Sequence, residues 1–210
     1  MVEVPKPSDI QNVFAMSEPQ HMVSKLYFEI LKLMDSMSVW TKSEAFPEPV
    51  FIAYNAAITA WHITDWLWQS RVQTRDLLAK RFKFSYNEWS RNGRRTGLEQ
   101  FQKAVATDFR PLYICQEIAN GSKHMRRTKS DADIKAIAEW HPAVEAVGHV
   151  KVGDLVLSLN IFDGDKKWDA MNLFIKVAGY WEKLLTSEKL ITAEARLPDK
   201  IIRAQQQLPA

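Results

Sequence analysis

Two histidines sit at helical spacing from other polar residues, and imidazole is the side chain whose charge changes near neutral pH. His62 and Asp65 lie three apart in AWHITDWLW, while Glu117, Asn120 and His124 follow one another at steps of three and four in EIANGSKH. At about 100° per residue, Asn55, Thr59, His62 and Trp66 share one strip of the first segment, with Asp65 about 60° to its side. Tyr113, Glu117, Asn120 and His124 share a strip of the second. If both segments are helices and neighbours, Asn55, His62 and Asp65 meet Glu117, Asn120 and His124 in one polar cluster. Three kinds of chemistry fit such a cluster. The bland one is a buried hydrogen-bond network that fixes helix register. A sharper one is a phosphodiester-directed site in which His124 is the general acid or base and Asn120 positions it or a phosphate. The weakest is a divalent-metal site of His62, Asp65, Glu117 and His124, because metal sites in bundles usually carry more carboxylates.

Other residue types narrow the choice. The lone cysteine, Cys115, excludes an intramolecular disulfide and a multi-cysteine zinc site, and it falls on the helix face opposite His124, which argues against a Cys-His nucleophile. Core packing explains it. There is no GxGxxG, no GxxxxGK[ST] and no GxSxG, so no nucleotide cofactor is expected and no metal is assigned. Between Arg71 and Arg95, eight basic residues stand against Asp76 and Glu88, so the segment carries +6 in a chain of +3 and the remainder −3. Phe82, Phe84, Tyr86 and Trp89 interleave with those cations, as in proteins that stack bases of single strands over a basic groove. The competing reading is a solvated helix face plus a loop whose aromatics plug into the core.

The elements that must hold these residues are mostly helical. Apolar spacing predicts an amphipathic helix over His21 to Met37, and Val50 to Arg71 is apolar around most of its circumference, the mark of a central buried helix. Arg75 to Phe82 and Gly97 to Asp108 read as helices with a break at Asn92-Gly93. Pro111 suits the first turn of a helix running to about Arg127. SDADIKAIAEW reads as a helix halted by His141-Pro142. Ala143 to Val152 and Leu155 to Phe162 then read as a hairpin turning at Gly153-Asp154. Asp163-Gly164 leads into a last helix that carries Trp168, Met171, Phe174, Ile175, Ala178, Trp181 and Leu185 on its apolar side.

The expectation is therefore a mainly α fold: a helical bundle of about five or six helices with a small β-hairpin before the last helix. Its 210 residues fit one domain, with 1–18 and 198–210 as loose ends. Met1 to Pro7 shows no basic stretch leading an apolar core, and no window holds about 18 uninterrupted apolar residues, so neither secretion nor membrane insertion is expected. With a single cysteine, a reducing cytoplasm fits best.

The block ANGSKH, Ala119 to His124, resembles the HEPN superfamily, helical bundles whose ribonuclease members carry an Arg, a polar residue often Asn, three further residues and His. The resemblance implies RNA as partner, with His124 and Asn120 catalytic; Lys123 and Arg127 beside them, and Arg71 and Arg75 from the basic run, are the residues expected to bind nucleic acid. The position of the motif's Arg is Ala119 here, so a cleaving site would be degenerate. AWHxxDWxW, Ala60 to Trp68, together with ANGSKH is similar to a group of bacterial helical proteins that carries no assigned activity. The reading from a different class is a non-enzymatic interaction or scaffold protein, whose partner is another protein or a second copy of the chain.

Overall fold

The computed structural model describes residues 16, 18–37, 48–121, 133–145, 151–153, 155–191 and 198–207. Helix α2 (Glu48–Ser70) is its axis, because the run from Phe51 to Trp68 leaves few directions that water could cover. It buries Ile52, Ala56, Ala57, Ala60, Trp61, Ile63, Leu67 and Trp68, whereas Trp66 is only half-buried. Packed on α2 are α1 (Pro19–Ser36), α3 (Val72–Phe82), α4 (Arg91–Asp108), α5 (Arg110–Gly121) and α6 (Ala170–Ser187). The α6 indole of Trp181 donates to the Ala60 carbonyl of α2 at 3.1 Å, so even the axial helix's backbone is tied to a neighbour.

Asn92-Gly93 does not break a helix. Both residues lie in the first turn of α4, where the Ser90 hydroxyl caps the helix by accepting from the Gly93 N–H at 2.9 Å. Only glycine fits there, since a Cβ on Gly93 would lie 2.3 Å from the Asn87 carbonyl oxygen. The capping serine two residues upstream outranked the turn signal of the Asn-Gly pair.

The segment expected as a helix before His141-Pro142 is instead strand β1 (Ile134–Pro142). It pairs antiparallel with β2 (Leu155–Asp163) in the register Ile134↔Asp163 to Pro142↔Leu155, and β2 pairs in turn with β3 (Lys166–Asp169). Alternation explains the exchange. Ile134, Ala136, Ala138 and Trp140 stand on the face of Leu157, Leu159 and Ile161, while Lys135, Ile137, Glu139 and His141 take the other face. The expected hairpin partner for β2, Ala143 to Val152, is not a strand at its described residues. Residues 143–145 and 151–153 belong to the connection, which the Gly153 N–H closes by donating to the Ala143 carbonyl at 2.9 Å. Gly153 sits at φ 90°, so it is a turn residue, though of a wider connection than a tight Gly-Asp pair. The tight turn of the sheet is Gly164-Asp165, with Gly164 at φ 58°, and it leads into β3 before α6 begins. Asp169 caps α6 by accepting from the Asn172 N–H at 2.9 Å.

From Pro198 onward, where a loose end was expected, the chain forms α7 (Asp199–Gln206). Ile201 is buried, the Gln205 amide donates to the Ile175 carbonyl at 3.0 Å, and Lys200 pairs with Asp35 of α1 at 2.5 Å. The protein is thus mainly helical, with seven helices among the described residues and a three-stranded antiparallel sheet ahead of the last two. Among the described residues no helix is long and apolar enough to cross a membrane.

Candidate functional site

Helices α2 and α5 are neighbours, as the polar-cluster reading requires. Their polar residues nevertheless fall into several settings. Asn55 is exposed and contributes nothing to a buried cluster. Thr59 turns to α1, where its hydroxyl accepts from Lys25 Nζ at 2.5 Å while that ammonium also pairs with the buried carboxylate of Glu29. Thr64 and Asp65 turn to α4: the Gln102 amide donates to Thr64 Oγ1 at 3.0 Å and lies 3.4 Å from Asp65 Oδ2. His62, Glu117 and Asn120 are each half-buried, and among the described residues no hydrogen bond joins His62 to Asn120. His124, Lys123 and Arg127 lie outside the described residues.

Ala119 has a definite place. It is 3% exposed and packs in the core, so the position that carries the HEPN motif's Arg is a core position in this fold. Cys115 is likewise fully buried, and burial pushes its thiol well above its ordinary range. It is a packing residue, and a thiolate nucleophile there is excluded on physical grounds.

No family model, curated protein or solved structure matches the chain. What the site can do has to come from its own geometry.

The basic segment divides into an inner and an outer part. Arg75 belongs to the inner part: it is 8% exposed and grips Glu88 through two bonds of 2.8 and 2.7 Å, while its third edge donates to the Trp68 carbonyl at 2.9 Å. Those bonds, and chiefly the hydrogen bonds between the pair, raise the pKa of the guanidinium and hold the Glu88 carboxyl below the usual carboxylate range. Arg75 is therefore a structural clamp and not a contact for nucleic acid. Phe84, Tyr86 and Phe101 surround the Trp68 ring at 6.0, 4.9 and 6.0 Å, and Phe82 lies 5.7 Å from Phe101. Three of the four interleaved aromatics thus plug into the core, as the competing reading held.

Trp89 does the opposite. It is 94% exposed, held in the loop between α3 and α4 by an Asx turn in which its N–H donates to Asn87 Oδ1 at 3.0 Å. One residue on, Ser90 caps α4, whose first turn carries Arg91 and Arg94 and no acidic residue, with Arg95 next; all three arginines are exposed. Arg94 is aimed by its bond to the Glu88 carbonyl at 2.8 Å, and Arg95 pairs with Glu99 at 3.1 Å. Lys80 and Lys83, at the end of α3, are exposed as well. Arg71 is exposed at the start of α3, paired with Glu18 at 3.3 Å. The signal that sets Trp89 apart was available in the sequence: it precedes the Ser90 cap, so it belongs to no helix face that could bury it.

Proposed function

We propose that this protein binds single-stranded nucleic acid, RNA in the first instance, through the loop and helix start formed by Trp89, Arg91, Arg94 and Arg95. The observation that carries the reading is the 94% exposure of Trp89 beside three exposed arginines. Leaving an indole in water forgoes the burial that about 2 kcal/mol of apolar transfer would supply, and a ring so placed offers a base a stacking platform. Arg91 and Arg94, in the first turn, also oppose the helix dipole, which favours negative charge there; a phosphate would reverse that sign. Lys80, Lys83 and Arg71 extend the positive field.

The polar residues of α2 support a different role. The bonds of Thr59 to Lys25 and of Gln102 to Thr64 and Asp65 fit a network that fixes how α1 and α4 seat on α2. RNA cleavage by His124 with Asn120 is a separate, catalytic form of the proposal, and His124→Ala abolishes it without loss of binding.

The binding test is fluorescence anisotropy with a labelled single-stranded oligoribonucleotide. Trp89→Ala weakens affinity by about tenfold, the range of losing one stacked base. Binding falls steeply with salt, and Arg91→Ala makes that slope shallower by about one unit, as expected for a lost phosphate contact. Equal affinity of wild type and Trp89→Ala, or no binding at low salt, refutes the reading.

A further inference from the structure

Strand β1 is an edge of the sheet, and eight of its nine residues, Lys135 to Pro142, are exposed on both of its faces. Its partner β2 is not: Leu157, Leu159 and Ile161, opposite Trp140, Ala138 and Ala136, are buried. Only Ile134, at one end of β1, packs against the core, and among the described residues no strand lies along the outer side of β1. A long edge of this kind is a template for another strand unless charge or proline blunts it.

The geometry points to a second copy of this chain as that strand, with β1 pairing antiparallel to its own equivalent about a two-fold axis at Ile137. Symmetry and the charges of β1 select the occupant and the register. Two copies sharing a two-fold axis perpendicular to the sheet pair each residue with one on the same face, so the axis passes through a residue. Centred on Ile137, the pairing sets Lys135 opposite the second copy's Glu139 twice over, Ile137 against its equivalent, and Ala136 against Ala138. Opposite charges in facing positions stabilise such a pair, and like charges disrupt it. Centring on Ala136 would instead set Asp133 against Glu139, and centring on Ala138 would set Glu139 against Ile137 and Lys135 against His141. Only one register pairs both charges, so Lys135 and Glu139 repel misaligned strands and accept the self-complementary one.

The neighbouring geometry fits. Glu139 Oε2 accepts from the Asn160 amide at 3.0 Å, which fixes the carboxylate over the outer face of the sheet. Ile137, 39% exposed, lies on that same face and loses its contact with water at the axis. The assembly is a continuous six-stranded sheet in the order β3, β2, β1 and then the second copy's β1, β2, β3. This proposal does not depend on nucleic-acid binding.

Sedimentation equilibrium of the full chain over a wide concentration range tests it. Wild type is a dimer; Lys135→Glu and Glu139→Lys each raise the dissociation constant by roughly tenfold or more, because each sets like charges face to face at two symmetric places. The double variant Lys135→Glu with Glu139→Lys restores the dimer. Lys135→Glu leaves the Asn160 bond intact, so circular dichroism on that variant separates lost association from lost folding. An independent arm uses Ile137→Cys under mild oxidation. Facing residues of antiparallel strands have Cα atoms about 4.5–5.5 Å apart, within disulfide reach, so this variant yields a covalent dimer. Ser158→Cys, in the middle strand, yields none. A wild-type monomer at every concentration, a dimer indifferent to both single reversals, or cross-linking through Ser158→Cys equal to that through Ile137→Cys overturns the proposal.

Discussion

Arg75 and Arg91 lie sixteen residues apart in the same basic segment, yet they have opposite duties. Arg75 is enclosed by Glu88 and the Trp68 carbonyl, so its charge stabilises the join between α2 and the loop before α4. Glu88→Ala leaves that guanidinium buried with half its partners gone, and a loss of about 3 kcal/mol is expected in denaturant unfolding. Arg75→Met with Glu88→Leu recovers part of it, because a buried pair costs much of its own attraction in lost hydration. The same pair sets a pH dependence. The Glu88 carboxyl titrates below its ordinary 4.5 in the folded protein, so its contribution is fully present above that value and is lost as pH falls through the lowered pKa. Wild-type stability therefore drops on acidification below 4.5 by more than that of Glu88→Gln; parallel acid curves for the two proteins would remove Glu88 from the account. Arg91, by contrast, is exposed in a first turn that favours negative charge. Arg91→Glu should raise stability by about 0.3–1 kcal/mol while weakening RNA binding, a trade that a purely structural arginine would not show.

Helices α2 and α4 meet where Gly97 passes beneath Trp68. An added Cβ would lie 2.4 Å from the indole Cζ2 and 2.8 Å from Tyr86 Cβ, closer than packed carbons approach. Helix propensity alone predicts that Gly97→Ala stabilises α4 by about 1 kcal/mol, whereas the overpacking costs about 1–3 kcal/mol and the indole is boxed in by Phe84, Tyr86 and Phe101. Net destabilisation in thermal unfolding is the expected outcome, and a more stable variant would show that Trp68 can retreat. Elements with one strong pattern were legible beforehand: α1, α2, α4 past its first turn, and α6 follow from apolar spacing, since a stripe or a wholly apolar surface has one way to be buried. Strand β1 was not. Its two alanines and its Lys and Glu have good helical propensity, and its alternation is visible only once β2 stands beside it with Leu157, Leu159 and Ile161. The pairing is nonlocal, so no window of β1 alone contains the reason for it. Of the site, the basic run with its aromatics was legible as a composition, but which aromatic would face water was decided by the Ser90 cap and the Trp68 cluster.

At the scale of the whole molecule, α1 and α7 are brought together through α6. Its apolar side faces α1 and α2 with Phe174, Val177, Ala178 and Trp181, and α7 then closes over α6 and α1. The closure has three parts that sequence spacing does not expose: Ile201 fully buried, the Gln205 amide on the Ile175 carbonyl at 3.0 Å, and Lys200 on Asp35. They differ in weight. The Lys200 pair is exposed at both ends and adds at most a few tenths of a kcal/mol in salt. The Gln205 bond contributes about 1 kcal/mol, and Gly179 makes room for it, since a Cβ there would meet the Gln205 amide nitrogen at 2.3 Å. Burial of Ile201 contributes about 2 kcal/mol. Removing residues 198–210 should therefore lower the unfolding free energy by about 2–3 kcal/mol, mostly through Ile201, and Ile201→Ala in the full chain should reproduce the larger part. Amide hydrogen exchange locates the effect: protection should fall in α6 and in the α1 turn around Asp35, and stay unchanged in α3 and α4. RNA affinity should also be unchanged, because Trp89 and the first turn of α4 take no part in the closure. A truncated protein as stable as the full one would mean that α7 rests on the surface without contributing, and loss of RNA binding on truncation would place the end of the chain in the binding surface.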